Sequence, residues 1–188
     1  MRLGEEVQRI STIEKVQHKT GRSGELLFVQ VLHRYSNAQG VCLEETHDIV
    51  YRPDVDPDAA PIPGVKPAHS AVWQRDIVPD DVLLFRYSAL TFNSHRIHYD
   101  RRYVTQVEGY PGLIVHGPLM ATLLVDLLRR HSDRAVQSFE FKAVKPVFEC
   151  ADQRVLSVCA HPDGEQIHAW VQDHQGNVCM QATARWAS

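Results

Sequence analysis

Cysteine is scarce and unpatterned in this chain. Its 188 residues hold four, Cys42, Cys150, Cys159 and Cys179, with no C-x-x-C among them. That excludes the disulfide framework of a small secreted domain and leads us to expect reduced, mostly buried thiols in a cytoplasmic protein. No apolar run approaches the ~20 residues that a bilayer-spanning helix needs, so no membrane span is expected. Charge of either sign is not in excess: 23 Asp and Glu stand against 20 Lys and Arg, a net of -3. Neither nucleic acid nor an anionic membrane surface is therefore expected as a partner. The opening residues, Met1-Arg-Leu-Gly-Glu-Glu6, have the pattern of neither a signal nor a transit peptide. Helical periodicity is also missing from residues 1–52.

What fills those 52 residues is strand pattern. Val7 to Gln17 is rich in β-branched residues and alternates in part. Leu26 to His33 is largely apolar, the pattern of a central strand, and Val41 to Tyr51 reads as a third strand. Turns at Gly21-Arg-Ser-Gly24 and Ser36-Asn-Ala-Gln-Gly40 join them into an antiparallel meander. Residues 53–70 hold five of the ten prolines and read as an extended linker. A second unit spans 71–188. It offers a short strand at Trp73–Val78, a short helix from Pro79 to Ser88 and a long helix to about His131. Strands follow at Val136–Phe148, Gln153–Pro162, Gln166–Asp173 and Asn177–Trp186. Lys145-Pro146 inside the first of these suggests a bulge or an edge. Phe139, Phe141 and Phe148 read as sheet core. One long helix against a sheet that mostly follows it is an α+β layout.

The chain is organised around Tyr87–Met120, where two parts look built to meet. One is the polar cluster Asn93-Ser-His95-Arg96-Ile-His98-Tyr99-Asp100. The other is His116-Gly117-Pro118 at the head of Leu-Met-Ala-Thr-Leu-Leu-Val-Asp-Leu-Leu. Proline favours the first helical position, so Gly117 is expected as N-cap, with free N–H groups at Gly117, Leu119 and Met120. The helix is apolar almost all round to Leu128 and is expected to be buried. It closes on Arg129, Arg130 and His131, which suit the negative end of its dipole.

FRYSALTFNSHRIHYD and GLIVHGPLMATLL, as they stand here, resemble the signature of the MaoC-like, R-specific hydratase/dehydratase branch of the hot-dog superfamily. The likeness is nearest to the subgroup of mesaconyl-CoA and itaconyl-CoA hydratases and type 2 3-hydroxyacyl-thioester dehydratases. It implies a hot-dog fold, a long central helix wrapped by an antiparallel sheet. It also implies that 71–188 is a complete unit, preceded in 1–52 by an incomplete second hot-dog unit without its own helix. The subgroup carries two such units, so this chain looks shorter than the pattern. The resemblance implies an acyl-CoA substrate, no cofactor, and Asn93, His98 and Gly117 as the catalytic positions.

The residues support that chemistry on their own terms. Hydrating a double bond conjugated to a thioester needs a deprotonated water, a proton for the α-carbon and a donor for the thioester oxygen as it gains enolate character. His98 is the natural acid/base near neutral pH. Asn93 can orient water through its amide, and the Gly117 N–H suits the developing oxyanion. The wider family resembled here has Asp at the position of Asn93, and Asn transfers no proton. Either His98 handles both transfers through water, or a second carboxylate, Asp100 or Glu108, takes part. His116, Arg96, Tyr99 and Asp100 are candidate substrate contacts, although His116 also reads as shaping the helix start and Asp100 as fixing the loop. His95, His98 and His116 lack the Cys or carboxylate spacing of a zinc site, so no metal is expected.

Two other functions fit the same pattern. A hot-dog thioesterase would need a carboxylate such as Glu108 to activate water on the carbonyl. A non-catalytic acyl-CoA-binding module would keep only the pocket. For a short branched or dicarboxylic acyl group, Arg86, Arg96 and Lys142 are candidates to meet the free carboxylate. The uncovered apolar face of the 1–52 sheet leads us to expect a homodimer.

Overall fold

The computed structural model describes residues 1–21, 24–51, 63–149 and 155–187. Arg22 and Ser23 of the first expected turn, most of the expected linker, Cys150 and the start of the Gln153 strand lie outside the described residues. The chain divides into two compact units, Met1–Ala59 and Ala60–Ser188.

The first unit is a meander of β1 (Gln8–Gly21), β2 (Gly24–Asn37) and β3 (Gly40–Tyr51), with β2 central as its apolar run predicts. Its second turn follows from two residues. The Asn37 side chain accepts from the Gln39 N–H at 2.9 Å, and Gly40 takes φ +119°, a conformation that suits glycine. Among its described residues there is no helix. Ile10, Ile13, Val16, Val41, Leu43 and Val50 stay exposed.

In the second unit β4 (Trp73–Ile77) leads into α1 (Asp81–Leu90), a single 3₁₀ turn (Arg96–His98), α2 (Arg101–Gln106) and α3 (Gly117–His131). Strands β5 (Val136–Ala143), β6 (Leu156–Asp163), β7 (Gln166–Gln172) and β8 (Val178–Trp186) follow. The sheet runs β4-β6-β7-β8-β5 and every neighbouring pair is antiparallel. Helix α3 packs on β4, β6, β7 and β8. Leu119, Met120, Leu124, Leu127 and Leu128 form its buried stripe. Opposite them Ala160, Ala169 and Ala182 stand in register across β6, β7 and β8, and small side chains there let the helix lie close to the sheet. Cys159 and Trp170, one residue along, point to the other face and form a second small cluster with Val178.

Four expectations are corrected here. The N-cap of α3 is His116, so Gly117 is the first helical residue and Pro118 the second. The helix is not buried all round up to Leu128: Pro118 and Thr122 are exposed and Val125 and Asp126 are half-buried, because only an i, i+4, i+7, i+8 stripe can face one sheet. Strand β5 stops at Ala143, before Lys145-Pro146, instead of running to Phe148, although it is an edge strand, one of the two positions those residues suggested. Phe141 is half exposed instead of core, on an edge strand with one open side; of the three described cysteines Cys159 and Cys179 are buried, and Cys42 is exposed.

Candidate active site

Helix α1 sets the first arm of the site. Asp80 caps it by accepting from the Leu83 N–H at 2.7 Å, and Leu84 and Ser88, four apart, face the core. Its far end is a Schellman closure. The Phe92 N–H reaches Ala89 O and the Asn93 N–H reaches Ser88 O at 2.9 Å, with Phe92 in the left-handed region at φ 51°. Glycine is usual at that position, yet here it holds a phenylalanine that is 95% exposed. The closure fixes Asn93, whose Oδ1 then accepts from the His95 N–H at 3.0 Å. That bond leaves the Asn93 amide N–H₂ as the free end.

The 3₁₀ turn carries His98 inward, where it is 8% exposed. Its Nδ1 lies 2.7 Å from Ile114 O. A carbonyl only accepts, so Nδ1 holds the proton and the neutral ring leaves a lone pair on Nε2. Ile114 is itself held: its N–H donates to Ile97 O, it bridges Phe148, and its neighbour Val115 donates to Val147 O at 2.8 Å. The acceptor that sets the His98 tautomer is therefore part of a small backbone lattice.

His116 caps α3 and is wholly buried. Its ring stacks on that of His98, with centroids 3.7 Å apart and planes 18° from parallel, and Tyr87 meets it edge-on at 4.9 Å. Its Nε2 is 2.8 Å from Ser88 Oγ, while its Nδ1 is buried with no partner among the described residues. Burial first, and the nearby His98 and His95 next, push the His116 pKa down to about 4. Burial also lowers that of His98, and His95 adds to the effect, while the bond to Ile114 works against it. Two unit charges at about 4 Å repel by roughly 4 kcal/mol at an effective dielectric of about 20, so the stack takes up at most one added proton and carries at most one positive charge. His116 is the more buried host, and the proton belongs on His98.

Immediately after His116, the Gly117 N–H meets no acceptor among the described residues, and a Cβ built on Gly117 would touch nothing within 4 Å. The open N-terminus of a 15-residue helix is thus presented beside the histidine pair. Of the three donors expected there, Met120 N–H is engaged by His116 O at 3.2 Å, which leaves Gly117 and Leu119. A cavity of about 320 Å³ opens at Asn93, lined by Phe85, Phe92 and Tyr99 among others, with no charged residue in its lining.

The structure thus links Asn93, His98 and His116–Gly117 through Ser88. It gives the other candidates different work. Asp100 caps α2 through the Tyr103 N–H and pairs with Arg96 at 2.7 Å, so the charges of Arg96 and Asp100 are spent on each other. Backbone donation from Tyr103 and the Arg96 guanidinium hold the Asp100 pKa below the usual carboxylate range. Tyr99 donates to Ser94 O, and Glu108 accepts from the Tyr103 hydroxyl at 2.7 Å. Arg86 and Lys142 are exposed. Among the described residues no group of three or more His, Cys, Asp or Glu is placed to hold a metal ion.

Sequence reasoning missed Ser88, Phe92 and the Arg101–Glu149 pair. Ser88 sits on the buried stripe of α1, and a hydroxyl at an apolar helix position was its signal. Phe92 had no signal, since nothing local announces a left-handed phenylalanine. Arg101 and Glu149 join across 48 residues at 2.6 Å, tying α2 to the segment behind Leu113, and only the fold brings them together.

The chain matches the family described as hydroxyacyl-thioester dehydratase type 2 over residues 1–149. It is 45% identical to the mesaconyl-C(4)-CoA hydratase of Chloroflexus aurantiacus over 97% of this chain and 64% of that protein. It is 32% identical to the mitochondrial hydroxyacyl-thioester dehydratase type 2 of Schizosaccharomyces pombe over 69% of this chain and 43% of that one. The chain therefore spans less than two thirds of the length of either relative. Among solved structures, a MaoC-like dehydratase of Phytophthora capsici superposes with a TM-score of 0.68 at 10% identity, over 97% of this chain and 65% of that one. That likeness is one of fold, and the fold is the α+β hot-dog.

Proposed function

Because this chain belongs to the hydroxyacyl-thioester dehydratase type 2 family of MaoC-like hot-dog proteins, we propose that it is a hydro-lyase adding water reversibly across the double bond of an enoyl-CoA. The observation that carries this reading is His98: its Nδ1 is committed to Ile114 O, its Nε2 lone pair is free, and its ring lies against the residue that opens α3.

In this scheme a water donates to His98 Nε2 and accepts from the Asn93 amide. Nε2 takes its proton as the oxygen bonds to the β-carbon. Electron density moves to the thioester oxygen, where the Gly117 N–H and the positive end of α3 meet it. The imidazolium then returns a proton to the α-carbon, which closes the balance with no cofactor. Asp100 is a poor second acid because the Arg96 pair and the Tyr103 N–H keep it ionised. Glu108 is engaged by Tyr103, which weakens the thioesterase alternative.

The acyl group is read as short and branched or dicarboxylic, on the likeness to a mesaconyl-C(4)-CoA hydratase. A second reading, a straight apolar chain, has the uncharged aromatic cavity at Asn93 in its favour. Residues 71–188 are read as the complete hydratase unit, 1–52 as a strand-only part of a second unit, and the enzyme as a cytoplasmic homodimer. Absorbance at the enoyl-thioester band is followed on adding crotonyl-CoA and mesaconyl-CoA, with a thiol reagent reporting hydrolysis. Loss of the band without free thiol is expected. Thiol release would favour a thioesterase, and no change with either substrate would favour a binding module.

A further inference from the structure

Ser88 touches both arms of the site. Its backbone carbonyl accepts the Asn93 N–H at 2.9 Å, and its hydroxyl lies 2.8 Å from His116 Nε2. It is 5% exposed, so its hydroxyl serves the interior. We propose that Ser88 is a positioning residue for the hydration reaction: by holding the His116 ring it holds His98, stacked on that ring, with Nδ1 on Ile114 O and Nε2 turned to the reacting water.

An imidazole in water turns freely and favours the Nε2–H tautomer, which would put a proton where the base needs a lone pair. His98 escapes this only while its ring stays in the plane that lets Nδ1 meet Ile114 O. One face of that ring is covered by His116. His116 has no side-chain capping bond and, among the described residues, an unpartnered Nδ1, so there Ser88 supplies the one hydrogen bond to its ring. Without the hydroxyl, His116 can rotate and admit water, and His98 loses both its plane and its dry face. The other titratable groups set against the two rings are His95, from the same loop, and Tyr87, from α1.

The inference rests on the hydratase reading for its rate arm but not for its spectroscopic arm. Ser88→Ala, Ser88→Thr and Ser88→Cys all keep the backbone carbonyl that holds Asn93, so they isolate the hydroxyl. Ring ¹⁵N spectra of the full chain report the His98 tautomer, and kcat and KM for crotonyl-CoA and mesaconyl-CoA are measured across pH. In Ser88→Ala we expect mixed His98 tautomers and kcat lower by about tenfold with KM nearly unchanged. The acid limb of the rate profile should move up toward the ordinary histidine range. Ser88→Thr should restore all three. Ser88→Cys, nearly isosteric with a weaker bond, should move the same way by less, and it decides the matter if Ser88→Ala does not fold. A wild-type tautomer and acid limb in Ser88→Ala, or in Ser88→Cys where that is the variant that folds, overturns the proposal. If the wild-type protein hydrates neither thioester, the spectra still decide the positioning role, and that failure falls on the functional reading alone.

Discussion

His98 and His116 lie face to face, 3.7 Å between ring centroids, and the two rings share at most one positive charge. The more buried partner is held neutral, with its pKa pushed down to about 4, and that leaves the exchangeable proton on the ring with a free Nε2. A base that must take and return one proton is served by a neighbour that cannot compete for it.

The same burial fixes how stability depends on pH. His116 titrates near 4 folded and near 6.5 unfolded, so between those values the unfolded chain binds more protons. Stability is then full above about pH 6.5, falls as pH drops toward 4 and levels below it. The span is on the order of 3 kcal/mol, and the lowered His98 adds in the same direction. Thermal unfolding at a series of pH values from 4 to 8 measures this. His116→Phe should flatten much of the slope, and an unchanged slope in that variant would mean that other groups carry it.

Phe92 yields an expectation of opposite sign for stability and for binding. A left-handed conformation costs an L-residue roughly 1–2 kcal/mol. Phe92 is 95% exposed, so packing offsets none of this. Phe92→Gly should therefore raise stability by up to about 1 kcal/mol once the larger freedom of the unfolded glycine chain is deducted. It also removes an aromatic wall from the cavity at Asn93, so KM for the thioester should rise. A lower melting temperature in Phe92→Gly would show that the ring packs on something in the folded protein.

The strand-only beginning, the antiparallel pairing and the single long helix were all legible in the sequence, because hydrophobic period and turn residues are local signals. So was the meeting of the Asn93–Asp100 cluster with the start of α3. The N-cap was misread by one residue, since proline is accepted at either of the first two helical positions. The open side of α3 was illegible, because apolar residues such as Val125 read alike whether they face a sheet or a groove. The hydroxyl of Ser88 on an apolar helix stripe was a local signal, but its partner His116 and the Arg101–Glu149 pair depend on where distant backbone comes to rest, and no residue around Phe92 announces its left-handed turn.

The Arg101–Glu149 pair tests the frame behind the site. The Glu149 side chain is 4% exposed while that of Arg101 is 49% exposed, and one Glu149 oxygen is buried without a partner among the described residues. Arg101→Ala strands a buried carboxylate and should cost about 1–3 kcal/mol, toward the lower end because solvent screens the exposed arginine. Adding Glu149→Gln should recover part of that loss, since the stranded charge is gone. Denaturant titration of the two single variants and the double variant gives the coupling, and purely additive costs would mean that the pair holds nothing together.

Substitutions of Asn93 and His98 should differ in kind. His98→Ala removes proton transfer, typically worth about 10²–10⁴-fold in rate. It should also erase the acid limb of kcat/KM, which in the wild-type protein lies below the ordinary histidine range because burial favours the neutral ring. The sign is fixed: hydration needs neutral His98, so the rate falls as pH drops through its pKa. Asn93→Ala takes away a donor to the water and should weaken turnover less, leaving the limb where it is. Asn93→Asp can keep the bond from the His95 N–H, but it exchanges the free amide for a carboxylate oxygen. A negative charge near His98 favours the imidazolium, so the acid limb should move to higher pH. Whether the maximum rate then rises or falls reports whether water activation or the supply of neutral His98 limits turnover. Near-wild-type hydration by His98→Ala, with circular dichroism unchanged, would remove His98 from the chemistry and with it the reading built on its free Nε2.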